Sequence, residues 1–186
     1  MSQQKKDHLE SAAIRLLLEH PYLRAMLEDR ARGRTAVPPW HRMITHDYAS
    51  VLVFDRAGHA LVLEDHVQGD GMAGWQLPIR YLTKGEDPTQ SIQQKLLQET
   101  GYFSRNWQYI GGYALDALQG VGVGHFYCAQ NAFPVTPPPA PPSSEFYPRW
   151  VVLGELKFAL IDGRFAQMRD ALNVSLALLT VHKQAW

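Results

Sequence analysis

Trp75-Gln76-Leu77-Pro78-Ile79-Arg80, followed by Gly85-Glu86-Asp87-Pro88 and then Lys95-Leu96-Leu97-Gln98-Glu99-Thr100-Gly101-Tyr102, is the stretch on which the fold turns. Its middle carries the local signals of a helix with both ends marked. Asp87 is placed as N-cap, Pro88 stands at the first helical position, and Gln90, three residues after Asp87, completes a capping-box pattern. The helix is predicted to run to about Thr100, where Gly101 supplies a left-handed stop. Before it, Trp75 to Ile79 reads as a short strand ended by Pro78 or just after it. At about 100° per residue, positions 95, 98 and 99 return to nearly the same face of such a helix. That face carries Lys95, Gln98 and Glu99.

Outward from this segment, Tyr48 to Phe54 and His59 to Glu64 read as a β-hairpin around the turn residues Asp55 to Gly58. A polar, glycine-containing loop from Asp65 to Gly74 leads from the hairpin to Trp75. On the other side come two strand candidates, Trp107 to Tyr113 and Val121 to Cys128, with Gly120, Gly122 and Gly124 at their junction. The proline-rich run Pro134 to Pro142 cannot continue a sheet and reads as a stiff loop or arm. Trp150 to Leu153 then reads as a strand, Glu155 to Ile161 as a short helix and Ala166 to His182 as a longer one. At the amino end, Leu9, Ala12, Ala13, Leu16 and Leu17 recur at helical spacing, and a second helix is expected from Pro21 towards Gly33. The expected organisation is an N-terminal helical extension over residues 1–40 and a main domain over residues 41–186. The extension would either cover the main domain or pair with a second copy in a homodimer. The mixture of strands and helices predicts an α+β sandwich with a mixed sheet.

Bulk composition excludes some partners. Eighteen basic residues balance eighteen acidic ones, so net charge gives no support to nucleic-acid binding or attraction to a membrane surface. No apolar run approaches the roughly 18 to 20 residues of a membrane span. With no secretory pattern at the start, a cytoplasmic protein is the expectation. The single cysteine, Cys128, lies in an apolar strand and reads as a buried structural thiol.

The segment from Trp75 to Tyr102 resembles the Nudix box, whose pattern is Gly-x5-Glu-x7-Arg-Glu-U-x-Glu-Glu-x-Gly-U, with U a bulky aliphatic residue. Anchored on Gly101, the spacing holds without a gap. The first glycine falls on Arg80, the next glutamate on Glu86, the arginine on Gln94, and the three helix glutamates on Lys95, Gln98 and Glu99. Glu86, Leu96, Glu99 and Gly101 match, and Tyr102 holds the last place. The flanks, through His125-Phe126-Tyr127 and Trp150-Val151-Val152-Leu153, are similar in order to the ADP-ribose pyrophosphatase branch. The resemblance implies an α/β/α Nudix sandwich. It also implies hydrolysis of a nucleoside diphosphate linked to another group, with magnesium or manganese held by oxygen ligands.

Read residue by residue, the box departs from that chemistry. One carboxylate stands where the family clusters three, and Lys95 brings a positive charge to the metal position. Lys95 and Glu99 form an i,i+4 pair whose ordinary use is a helix salt bridge. The alternative is that Lys95, with Arg80 and Gln98, contacts a ligand phosphate. Candidate catalytic residues are Glu86, Glu99 and Glu145, the last near the place where the ADP-ribose branch carries a catalytic glutamate. Glu99 is the candidate metal ligand, and Glu64 and Asp65 could add to it. Glu86 also suits capping, and Glu145 suits a solvated loop. Three functions follow: a Nudix-fold protein with weak or lost hydrolysis and a retained pocket for a nucleotide-derived molecule, an active Mg- or Mn-dependent pyrophosphohydrolase, or a non-catalytic interaction scaffold.

Overall fold

The computed structural model describes residues 14–20, 23–28, 31–32, 35–36, 40–65, 74–114, 122–137 and 146–183. They fall into two compact units, one drawn from Met1–His46 with Ala114–Val123, the other from Asp47–Tyr113 with Gly124–Trp186. In the first unit, strands β1 (Ile14–His20), β2 (Leu23–Glu28), β3 (Ala31–Arg32), β4 (Thr35–Ala36) and β5 (Trp40–Thr45) are formed. β1, β2 and β5 make an antiparallel sheet in that order, and β3 pairs β4.

These strands correct the helical N-terminal extension. The helices expected over residues 7–19 and 21–33 are strands wherever those residues are described. A leucine-rich run fits both periods: Ile14, Leu16 and Leu18 also alternate with Arg15, Leu17 and Glu19. The deciding partner is β5, whose Trp40 and Thr45 pair with Glu28 and Leu23, and a ladder between distant residues overrides local spacing.

The second unit is an eight-stranded mixed sheet. Its strands are β6 (Tyr48–Asp55), β7 (Ala60–Asp65), β8 (Trp75–Gln76), β9 (Ile79–Tyr81), β10 (Tyr102–Phe103), β11 (Asn106–Ala114), β12 (Val123–Pro134) and β13 (Phe146–Val151). The order is β10-β12-β6-β7-β13, with β11 on β12, β8 on β7 and β9 on β6. β12 runs parallel to β6, whereas β7 and β9 lie antiparallel to it. Helices α1 (Pro88–Thr100), α2 (Leu153–Ala159) and α3 (Met168–Lys183) complete it.

β6 is buried on both faces, and its alternation sorts the core into two layers. Ala49, Val51 and Val53 meet Ile92 and Leu96 of α1, together with Leu61, Tyr127 and Ala129. Leu52 and Phe54 point the other way and join Val62, Trp75 and Cys128 with Leu156 and Ala159 of α2 and Val174 and Ala177 of α3. The sandwich of helix, mixed sheet and helices is the expected one. Cys128 is buried in this second layer, where desolvation pushes its thiol up to about 12.

Three details differ from the sequence expectation. Pro78 splits the strand after Trp75 into β8 and β9. β13 begins at Phe146 and contains Pro148, which is tolerated because β13 ends the strand order and is an edge. β12 continues past Cys128 to Pro134, taking up the start of the proline-rich run, and Gly124 lies inside this strand rather than in a loop. A Cβ at Gly124 would stand 2.6 Å from the end of the Tyr48 ring, so a larger residue there would have to displace that buried ring.

Candidate functional site

Helix α1 is fixed at both ends. The Asp87 side chain accepts the Gln90 amide at 2.8 Å, and Pro88 fills the first turn. At the far end Gly101, with φ 73°, donates its N–H to the Leu97 carbonyl. Its own carbonyl accepts the amides of Val135 at 2.9 Å and Thr136 at 3.2 Å. A Cβ at Gly101 would overlap the Thr136 carbonyl. The stop is therefore both a backbone conformation and a docking point for the chain leaving β12.

Glu86 is held just before the helix. Its Oε2 accepts the Thr83 amide at 2.8 Å and the Thr83 hydroxyl at 3.0 Å. Its Oε1 accepts the Ser91 hydroxyl at 2.7 Å and Arg80 Nε at 3.4 Å. The Thr83 amide above all, then the Ser91 and Thr83 hydroxyls, favour the charged form and lower the carboxyl to about 2. The turn beneath it is made by Thr83 and Gly85, with Glu86 N–H on the Thr83 carbonyl and Gly85 at φ 84°. Arg80, at the family's first glycine, lies instead in β9 opposite Ala49. A tight turn does form, at Gly85, five residues after Arg80.

One turn along α1, Lys95 Nζ sits 2.6 Å from Glu99 Oε1, with both side chains about 30 % exposed. Such a pair contributes about 0.3–0.5 kcal/mol to a helix. Glu99 Oε2 is buried and has no hydrogen-bond partner among the described residues, and Gln98 is exposed. The structure therefore joins Arg80 to Glu86 and Lys95 to Glu99. No hydrogen bond or ion pair among the described residues links one couple to the other. Glu145 lies outside the described residues.

These residues do not fit a divalent cation. Both Glu86 oxygens already accept two donors each, one Glu99 oxygen is held by an ammonium, and no group of three His, Cys, Asp or Glu suited to a metal occurs among the described residues. Glu64 does not help. It follows Val62 on the face of α2, where Arg149 donates to it at 3.1 Å and bridges it to Glu155 at 3.1 Å.

Some neighbours of α1 escaped the sequence reading. Thr83 and Ser91, which fix Glu86, are separated from it by a turn and a helical step, and no motif marks them. The Thr89 hydroxyl in the first turn meets Tyr127 Oη at 3.1 Å. Tyr127 in turn packs with Trp107 and Tyr109, and the exposed Tyr109 hydroxyl meets His125 Nδ1 at 3.2 Å. The alternation of His125, Phe126 and Tyr127 was the available signal for this aromatic row beside the helix.

No family model matches the sequence, and no curated protein does. A crystal structure of an ADP compounds hydrolase superimposes with a TM-score of 0.73, covering 95% of this chain and 97% of that chain at 14% sequence identity. The chain is similar in fold to that hydrolase. At such identity the likeness is one of fold, an α+β sandwich, and it leaves the chemistry to the residues of α1.

Proposed function

We propose that this chain is a Nudix-type protein that binds a nucleotide-derived small molecule beside α1, with metal-dependent hydrolysis of nucleoside-diphosphate-linked compounds weak or lost. The carrying observation is the Lys95 ammonium 2.6 Å from Glu99, on the carboxylate that a family metal would use. A cation held there by the protein itself opposes a divalent ion electrostatically and offers a diphosphate a counter-charge. Arg80, with its side chain 46 % exposed, and Gln98 supply further donors near the same helix. The ligand class is supported by the solved ADP compounds hydrolase of similar fold.

The test is binding and turnover of ADP-ribose and ADP, by calorimetry and by product release with added Mg²⁺ or Mn²⁺. Binding without metal is expected, weakened about tenfold by Lys95→Ala, since a charged hydrogen bond is worth about 1.5 kcal/mol or more. Turnover is expected at background. The double variant Lys95→Glu with Gln98→Glu should gain Mn²⁺ binding. The buried, unpartnered Oε2 of Glu99 favours a second reading, in which a metal completed from other loops uses that oxygen. Mn²⁺-dependent turnover by the unaltered chain, abolished by Glu99→Gln, would establish that reading and reject the first.

A further inference from the structure

We infer that the cleft at the carboxyl end of the parallel β6–β12 ladder is a second small-molecule site, suited to a compact organic anion with an apolar body. It lies by Phe54, Leu153 and Leu178, which belong to or pack on the core layer of α2 and α3, so it is separate from the surface of α1. Its volume is about 240 Å³. That is below the roughly 300 Å³ at which drug-sized sites begin, so the ligand is fragment-sized.

The position and the backbone support the assignment independently. In open sheets, ligands collect in the crevice beyond the carboxyl ends of parallel strands. β6 ends there, and with it the β6–β12 ladder, Ala129 lying opposite Val53 and Ala132 opposite Asp55, while β12 runs on to Pro134. Two residues, Gln130 and Asn131, thus span the place of one, a bulge that turns their side chains out of the ladder at the rim of the cleft. Asn131 is the one positive-φ residue other than glycine among the described residues, at φ 56°. Asparagine takes the left-handed region more readily than other non-glycine residues, which suits it to this bulge.

The charges select the ligand. Asp55, one wall of the cleft, is occupied by His59, accepting its amide at 2.8 Å and facing Nδ1 at 3.0 Å. Arg56, next along the hairpin turn, is exposed and lines the cleft with no ion-pair or hydrogen-bond partner among the described residues. The cleft therefore presents a guanidinium unpaired among the described residues, the Asn131 amide, the Gln130 amide whose Oε1 also accepts from Asn106 Nδ2 at 3.3 Å, and an apolar wall. A carboxylate or phosphate on a short hydrocarbon body meets all three.

Amide chemical shifts of the full-length chain, titrated with hexanoate, hexanamide and acetate, test this. Hexanoate should shift the Gly58 and Asn131 amides saturably with a Kd of roughly 1–10 mM, as befits so small a ligand. Arg56→Gln, at an exposed turn, and the switch to hexanamide should each weaken it about tenfold, the scale of one charge-assisted contact. Acetate should bind no more than weakly. Asn131→Gly keeps the backbone conformation while removing the side-chain amide, and is expected to weaken binding in a folded protein. The assignment fails if no saturable shift appears at these amides, if Arg56→Gln binds hexanoate unchanged, or if hexanamide or acetate binds as tightly as hexanoate. None of these outcomes depends on ADP-ribose binding at α1.

Discussion

Glu86 shows how a carboxylate beside a helix start can be taken up wholly by the turn it stands on. Two donors on each oxygen leave it as a latch between the Thr83 turn and α1. Its carboxyl, lowered from 4.5 to about 2, makes a stabilising contribution that is fully present above the ordinary value and is lost as pH falls through about 2. A ¹³C carboxyl titration should place the Glu86 midpoint near 2, and Ser91→Ala should raise it by removing the strongest donor after the Thr83 amide. A midpoint at the ordinary value in the unaltered chain would show that the latch is not formed in solution. Glu86, Lys95 and Glu99 were visible in the sequence through the resemblance to the box pattern, and the Lys95–Glu99 pair follows directly from helical geometry. Thr83 and Ser91 were not visible, because a hydrogen-bond donor gains its role from a turn whose shape only the folded chain fixes.

At the scale of the element, α1 was the most legible part of the chain, since every signal that bounds it is local. Asp87→Ala should cost about 1 kcal/mol, the usual worth of an N-cap side chain. Gly101→Ala should cost more, because it adds a side chain at φ 73° and drives it into the Thr136 carbonyl. Urea denaturation of the two variants checks the order, and a smaller loss at Gly101 than at Asp87 would contradict it. Strands β1 and β2 were illegible for the opposite reason. Their leucines satisfy helical and alternating periods equally, and the choice rests on a partner strand beyond Pro38 and Pro39 in the sequence. β13 was misplaced at its start because Pro148 argues against a strand until its edge position is known.

Across the whole second unit, the order of strands and helices foresaw a sheet packed against helices, but not the polar cluster set into one core layer. Under the start of α3, Asp170, Asn173, Ser50 and Tyr48 are all buried, with Asn173 Nδ2 donating to Ser50 Oγ at 3.0 Å. Tyr48 Oη, both Asp170 oxygens and Asn173 Oδ1 have no hydrogen-bond partner of normal geometry, and Arg169 Nε stands 3.8 Å from Asp170 Oδ1. Burial raises the Asp170 carboxyl from 3.8 to about 6, against the opposing pull of Arg169 and the Leu77 amide. A raised carboxyl binds its proton more tightly folded than unfolded. Its contribution is therefore most favourable below about 3.8 and is lost as pH rises through about 6, leaving a charge buried at neutral pH. Asp170→Asn removes that charge while keeping the shape. The difference in unfolding free energy between variant and unaltered chain should grow in the variant's favour from pH 4 to 6 and level off above, reaching at most about 3 kcal/mol. Because every other titrating group is common to both proteins, the difference isolates this carboxyl. Parallel stability profiles across that window would mean that Asp170 meets donors or solvent in the folded protein and carries no such penalty.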